Sequence, residues 1–137
     1  MQAKCLCGDV EFEFEPVDDM AMSCFCSLCR RSHGADYATQ LISNKETLKI
    51  TKGEELITEF SSSEFGVRAF CSKCGSRLMN YAKAHSNYMS VALSSVVSEH
   101  NISPAANVQV GSKAAWVNPN PDIKSFDEFP PDIGKYM

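Results

Sequence analysis

Cys71-Ser72-Lys73-Cys74-Gly75 sets two thiols three residues apart and follows them with glycine. That spacing suits a tight knuckle. The turn aims both sulfurs at one point, and glycine supplies the backbone freedom needed at its exit. Backbone N–H groups in such a turn can also hydrogen-bond the sulfurs. Two thiols cannot complete a tetrahedral metal site, so further ligands must come from elsewhere in the chain.

The other cysteines fall in two more clusters, Cys5-Leu6-Cys7-Gly8 and Cys24-Phe25-Cys26-Ser27-Leu28-Cys29, and none of the seven lies outside a cluster. A disulfide framework would leave one thiol over, and residues 1–9 do not read as a secretory signal. Clustering favours a tetrahedral ion that needs soft ligands at about 2.3 Å. The simplest completion joins Cys5, Cys7, Cys71 and Cys74 around one Zn²⁺, tying the N-terminus to mid-chain and adding folding free energy. Spacing alone permits other groupings.

On that completion Cys24, Cys26 and Cys29 remain, and three protein ligands leave one zinc position open for water or substrate. A histidine could close it, and His33, four residues after Cys29, is the one placed to do so. His85 and His100 stand in polar stretches and read as solvated surface residues.

Strand signals run through the rest. Val10-Glu11-Phe12-Glu13-Phe14-Glu15 alternates strictly, as a half-buried strand does, and Pro16 is expected to end it. Residues 37–42, 47–51, 56–61, 67–70, 78–82, 88–93 and 106–110 also read as strands, with Lys52-Gly53-Glu54-Glu55 as a hairpin turn. Helix is scarce: a short turn over 27–32, and none of any length over 91–98. Residues 118–137 hold four prolines and should pack as an extended tail anchored by Phe126 and Phe129. Trp116, the only tryptophan, reads as a packing residue, with the wall of a ligand cleft as the other option. These pieces predict one domain over residues 1–137, a mainly antiparallel β-fold in which zinc replaces part of the core.

Composition is ordinary for a globular chain of 137 residues, at 44% hydrophobic and 22% charged. No apolar run approaches the roughly 18 residues that span a bilayer. The formal charge of −4 becomes more negative once thiolates bind zinc, which argues against nucleic acid or acidic membranes as partners. Arg30, Arg31, Arg68, Lys73 and Arg77 nevertheless lie close to cysteines in sequence. The expected location is the cytoplasm.

The three clusters together resemble the glutathione-dependent formaldehyde-activating enzyme family, whose domain is shared with centromere protein V. The matching segments run from Cys5 to Gly8, from Cys24 to Arg30 and from Arg68 to Gly75, with softer agreement at Gly34-Ala35 and Gly111-Ser112-Lys113-Ala114-Ala115-Trp116. The resemblance implies an Mss4-like, or β-tent, fold. It implies a structural zinc on Cys5, Cys7, Cys71 and Cys74 and a catalytic zinc on Cys24, Cys26 and Cys29, two per chain. It also implies a carbon–sulfur lyase that joins glutathione to formaldehyde as S-hydroxymethylglutathione.

The sequence departs from the family at Phe25 and at Asn107, where histidine is common. Phe25 cannot carry protons or support a metal ligand.

At such a site a substrate thiol would take the open position as thiolate and attack an aldehyde carbon, or leave in the reverse direction. Three thiolates make the site net negative and weaken the ion as a Lewis acid. Arg30, Arg31 and Arg68 are the cations placed to offset this and to bind substrate carboxylates. The competing expectation is a non-catalytic, zinc-stabilised binding or structural module, since fold does not fix function.

Overall fold

The computed structural model describes residues 1–84 and 86–136, so His85 lies outside the described residues. The strands are β1 (Gln2–Lys4), β2 (Glu11–Glu13), β3 (Pro16–Cys24), β4 (Ala38–Asn44), β5 (Lys49–Lys52), β6 (Ile57–Ser61), β7 (Gly66–Cys71), β8 (Arg77–Ala82), β9 (Tyr88–Ala92), β10 (Ala106–Val108) and β11 (Lys124–Ser125), with one helix, α1 (Ser27–His33). They form a small sheet, β1-β2-β5, and a large one in the order β11-β10-β3-β4-β9-β8-β7-β6. Pairing is antiparallel except at β10, which runs parallel to both β3 and β11.

The alternation of side chains along paired strands gives the large sheet two different faces. Ala69, Met79, Val91, Leu41 and Ala21 stand opposite one another in a row across β7, β8, β9, β4 and β3. All are buried in the main core with Val10, Phe12 and Phe14 from the small sheet's side. Burying each of the larger apolar side chains contributes about 1.5–3 kcal/mol. One residue along, Arg68, Asn80, Ser90 and Ile42 form the next row, on the other face.

Several expectations from sequence are altered. The alternation over 10–15 does turn Val10, Phe12 and Phe14 inward, although hydrogen-bonded pairing is confined to β2. Pro16 does not end a strand; it begins β3. That strand is interrupted by Asp18 and Asp19, both at positive φ, where its register against β4 shifts. Aspartate tolerates this region better than most residues.

Residues 52–55 do turn the chain, but they do not make a hairpin: β5 joins β2 in the small sheet, whereas β6 joins β7 in the large one. The tail is not the extended segment expected: it runs through turns and bends, adds the two-residue β11 at one edge of the large sheet and ends in a 3-10 helix, Ile133–Tyr136. Phe126 packs as an anchor with Ile133 and Tyr136, whereas Phe129 is 47% exposed. Trp116 is no packing residue. It is 74% exposed, and its Nε1–H donates to Asp36 Oδ1 at 3.0 Å.

Candidate metal centre

Cys5 and Cys7 follow β1, Cys71 ends β7, and Cys74 lies in the turn before β8. Their four sulfurs lie within 4.8 Å of one another. The Cys5–Cys7 and Cys7–Cys71 separations are 3.4 and 3.9 Å. A tetrahedron with metal–sulfur bonds of about 2.3 Å would space its sulfurs by about 3.8 Å, so the set fits one thiophilic ion. Gly8 and Gly75 leave the two knuckles at φ of 79° and 78°, conformations that L side chains rarely adopt.

Val10 N–H donates to Cys5 Sγ at 3.3 Å. Ser76, which sequence reasoning passed over, links the two knuckles. Its Oγ accepts Leu6 N–H at 2.8 Å and stands 3.2 Å from Cys74 Sγ. That hydroxyl, aided by the N–H groups of Ser76 and Cys7, draws the Cys74 thiol down to about 5.

The remaining three sulfurs, of Cys24, Cys26 and Cys29, also lie within 4.8 Å of one another. Cys24 closes β3, Cys26 caps α1, and Cys29 lies in the helix's first turn. The Cys26 sulfur accepts the Cys29 N–H at 3.3 Å, a thiol taking the capping role usually filled by Ser or Asp. Hydrogen bonds from the Cys24 and Cys29 thiols, then the Cys29 and Leu28 N–H groups, pull Cys26 down to about 2. A thiol trio that stabilises thiolate in this way suits a soft metal ion.

Arg68 completes the surroundings: Nη1 and Nη2 both lie 3.8 Å from Cys29 Sγ. The trio opens on a cavity of about 550 Å³, whose walls include Arg68, Gln40, Asn80, Ser90 and Tyr88 but none of the other four cysteines. That volume lies in the range of small-molecule sites.

Other sequence-identified residues lie elsewhere. Arg30 spends its guanidinium on the carbonyls of Phe25 (3.2 Å) and Ser112 (2.9 Å), and Arg31 bonds Ser27 O at 3.3 Å. Neither lines the cavity.

His33 does not join the thiol trio. Its Nε2 stands 3.1 Å from the Gln40 amide nitrogen, which donates to it. Burial, then the positive charges of Arg77 and Arg68, lowers its pKa to about 4, so the ring is neutral. His100 is exposed, as expected.

Phe25 packs with Ala114 and Val117 and against the Tyr37 ring, 4.9 Å between centroids. Asn107 is buried and donates to Asn120 O (2.9 Å) and Ser125 Oγ (3.0 Å), fastening the tail.

Sequence reasoning also missed Gln40, Asn80 and Ser90. The only signal was a polar residue inside an apolar strand.

The family described as glutathione-dependent formaldehyde-activating enzyme matches residues 1–112. That family has an Mss4-like fold, in keeping with the mainly β arrangement here. A crystal structure of a Rhodobacter sphaeroides protein, a structural-genomics target, is similar with a TM-score of 0.62 at 22% identity, over 92% of this chain and 100% of that one. At that identity the likeness bears on fold alone. No curated protein matches the chain significantly.

Proposed function

Because the chain belongs to the glutathione-dependent formaldehyde-activating enzyme family, we propose that it is a carbon–sulfur lyase joining a thiol such as glutathione to a small aldehyde, or splitting the adduct. One observation carries this reading: the set that borders the mostly apolar cavity of about 550 Å³ is the one with only three thiols, whereas the set beside the second cavity, of about 520 Å³, already has four. Cys5, Cys7, Cys71 and Cys74 would hold a structural zinc, and Cys24, Cys26 and Cys29 a catalytic one, two ions in a domain spanning the chain. Zinc held by the trio supplies a Lewis acid that favours the thiolate of a thiol substrate over its free form, with pKa about 8.5.

The protein's own groups do the rest. Arg68 sets positive charge against the trio and offsets part of its negative charge. The Tyr88 hydroxyl stays protonated, because burial first of all raises its pKa, so this lining residue keeps a hydrogen to donate. Asn80 donates to Ser90 Oγ at 3.3 Å, and the Ser90 hydroxyl in turn hydrogen-bonds Tyr88, which links the three polar groups. Such donors can meet the oxygen on which negative charge grows as sulfur adds to carbonyl carbon. Arg30 and Arg31 act at most from outside the cavity.

No helix among the described residues is long and apolar enough to cross a membrane. All seven cysteines are free, and thiol chemistry of this kind fits the reducing cytoplasm. The acidic balance disfavours nucleic acid.

The test is titration of glutathione into protein carrying two cobalt ions per chain. A change in the thiolate-to-metal absorption that Cys29→Ser abolishes is the expected result. Two bound metals with no spectral response would instead favour a zinc-stabilised module without catalysis.

A further inference from the structure

The cavity beside the thiol trio is poorly matched to formaldehyde. Among the described residues its walls carry a single cation, Arg68, and no carboxylate. The polar groups sit together: Arg68, Asn80 and Ser90 share one cross-strand row, and Gln40 adds an amide on the neighbouring strand β4. Gln40 is only 9% exposed, and its Oε1 has no partner within the protein. Ser27, Ser62, Ser63, Gln109 and Ser112 also reach the lining, but most of its surface is apolar. Met22, Ile42 and Val108 come from β3, β4 and β10, and Phe65 and Phe129 stand at the rim, 76% and 47% exposed.

Formaldehyde has no side chain to lay against such a wall. Apolar wall left facing water costs about 25 cal/mol per Å² relative to covered wall, so a substrate that covers it binds more tightly. Ligand sites characteristically pair an apolar lining with a few convergent polar groups, and this one has both.

From these walls we propose that the carbonyl substrate is an aldehyde bearing an aromatic or branched aliphatic group, seated against Met22, Ile42 and Val108 with Phe65 and Phe129 closing over it. The inference rests on the thiol–aldehyde reading of the same site and names its substrate class. The thiolate sulfur bonds to the carbonyl carbon, the C=O π bond breaks, and its electron pair takes a proton on oxygen. The product is a hemithioacetal; nothing is oxidised or reduced. The proton lost by the thiol balances the one gained by oxygen.

The test uses the zinc-loaded full chain, glutathione, and either 3-phenylpropanal or formaldehyde. Exchange NMR gives the enzyme-dependent rate of hemithioacetal formation for each aldehyde, relative to its uncatalysed rate. A preference of at least about tenfold in kcat/KM for 3-phenylpropanal is expected, equivalent to about 1.4 kcal/mol. The paired substitution of Phe65→Ala and Phe129→Ala, at exposed positions that leave the core intact, should lower that preference at least about threefold.

Acceleration of formaldehyde alone, or a ratio of one or less, overturns the inference and leaves the thiol–aldehyde reading standing. So does a preference that the paired substitution leaves unchanged. Acceleration of neither aldehyde, with both metals bound, overturns the inference and the reading together.

Discussion

Both terminal nitrogens of the Arg68 guanidinium lie 3.8 Å from the sulfur of Cys29. A metal held by three thiolates is a net anionic centre, and among the described residues this is the one cation on the cavity wall. Arg68→Met keeps much of the side chain's length and apolar stem but removes the charge. Loss of a group supporting a metal ligand commonly weakens affinity by about 10- to 100-fold. The variant should therefore release one metal per chain at correspondingly lower chelator concentration and keep the other. Competitive titration with a chromophoric chelator reads both ions. Unchanged release of both would remove Arg68 from the support of the trio.

The two thiol sets differ in what they hold together. Cys5 and Cys7 lie at one end of the chain and Cys71 and Cys74 at its middle, so their ion closes a long loop between the sheets. Cys74→Ser should lower Tm by about 10 °C or more, since binding free energy at such a site is folding free energy. Cys29→Ser opens a site whose ligands all come from one short segment, and should cost much less in Tm. Thermal melts of the two variants with zinc present decide it. A Cys74→Ser protein that melts with the wild type would refute the structural role of the four-thiol set.

Gly53 joins β5 to the segment entering β6 at φ of +75°, and a Cβ built there would stand 1.9 Å from the Asp9 carbonyl oxygen. Alanine would meet a backbone clash as well as an unfavourable dihedral. Asp9 cannot retreat freely, because its carboxylate is paired with Lys52 and Lys73. Gly53→Ala should destabilise the fold by about 2–4 kcal/mol, read from chemical denaturation. A loss below about 0.5 kcal/mol would mean that the Asp9 segment yields.

How far the sequence announced this arrangement depended on the range of each signal. The division of cysteines was legible because metal ligation is written in short spacings and in ligand number, as at Cys71 and Cys74. Strand positions were also largely legible from alternation and composition. Partners were not. Nothing local says that β5 seeks β2 while β6 seeks β7, because that choice rests on which apolar faces meet across the core. Pro16, Asp18 and Asp19 hid β3, since a bulged strand breaks the period that reveals strands.

Gln40, Asn80 and Ser90 were invisible as a group for the same reason. A polar residue in a strand faces core, cavity or solvent according to register, and register is set by pairing. Trp116 misled because size was taken for burial; its ring lies outside, held by Asp36.

The neutral imidazole of His33 gives a pH dependence whose sign can be worked out. In the folded chain its pKa is about 4, lowered by burial and then by Arg77 and Arg68. In the unfolded chain it returns to about 6.5. Between these values the unfolded state binds a proton that the folded state does not, so stability falls as pH drops. The contribution is complete above about pH 6.5 and is lost progressively towards pH 4. Thiolate protonation also weakens the fold in acid. It is common to the wild type and to His33→Gln, however, and cancels in the difference between their Tm values. That difference should shift in favour of the variant as pH falls from 6.5 to 4, while NMR shows the His33 ring neutral at pH 5. A ring that titrates near 6.5 in the folded protein would mean that the Gln40 contact and the flanking arginines do not hold it neutral.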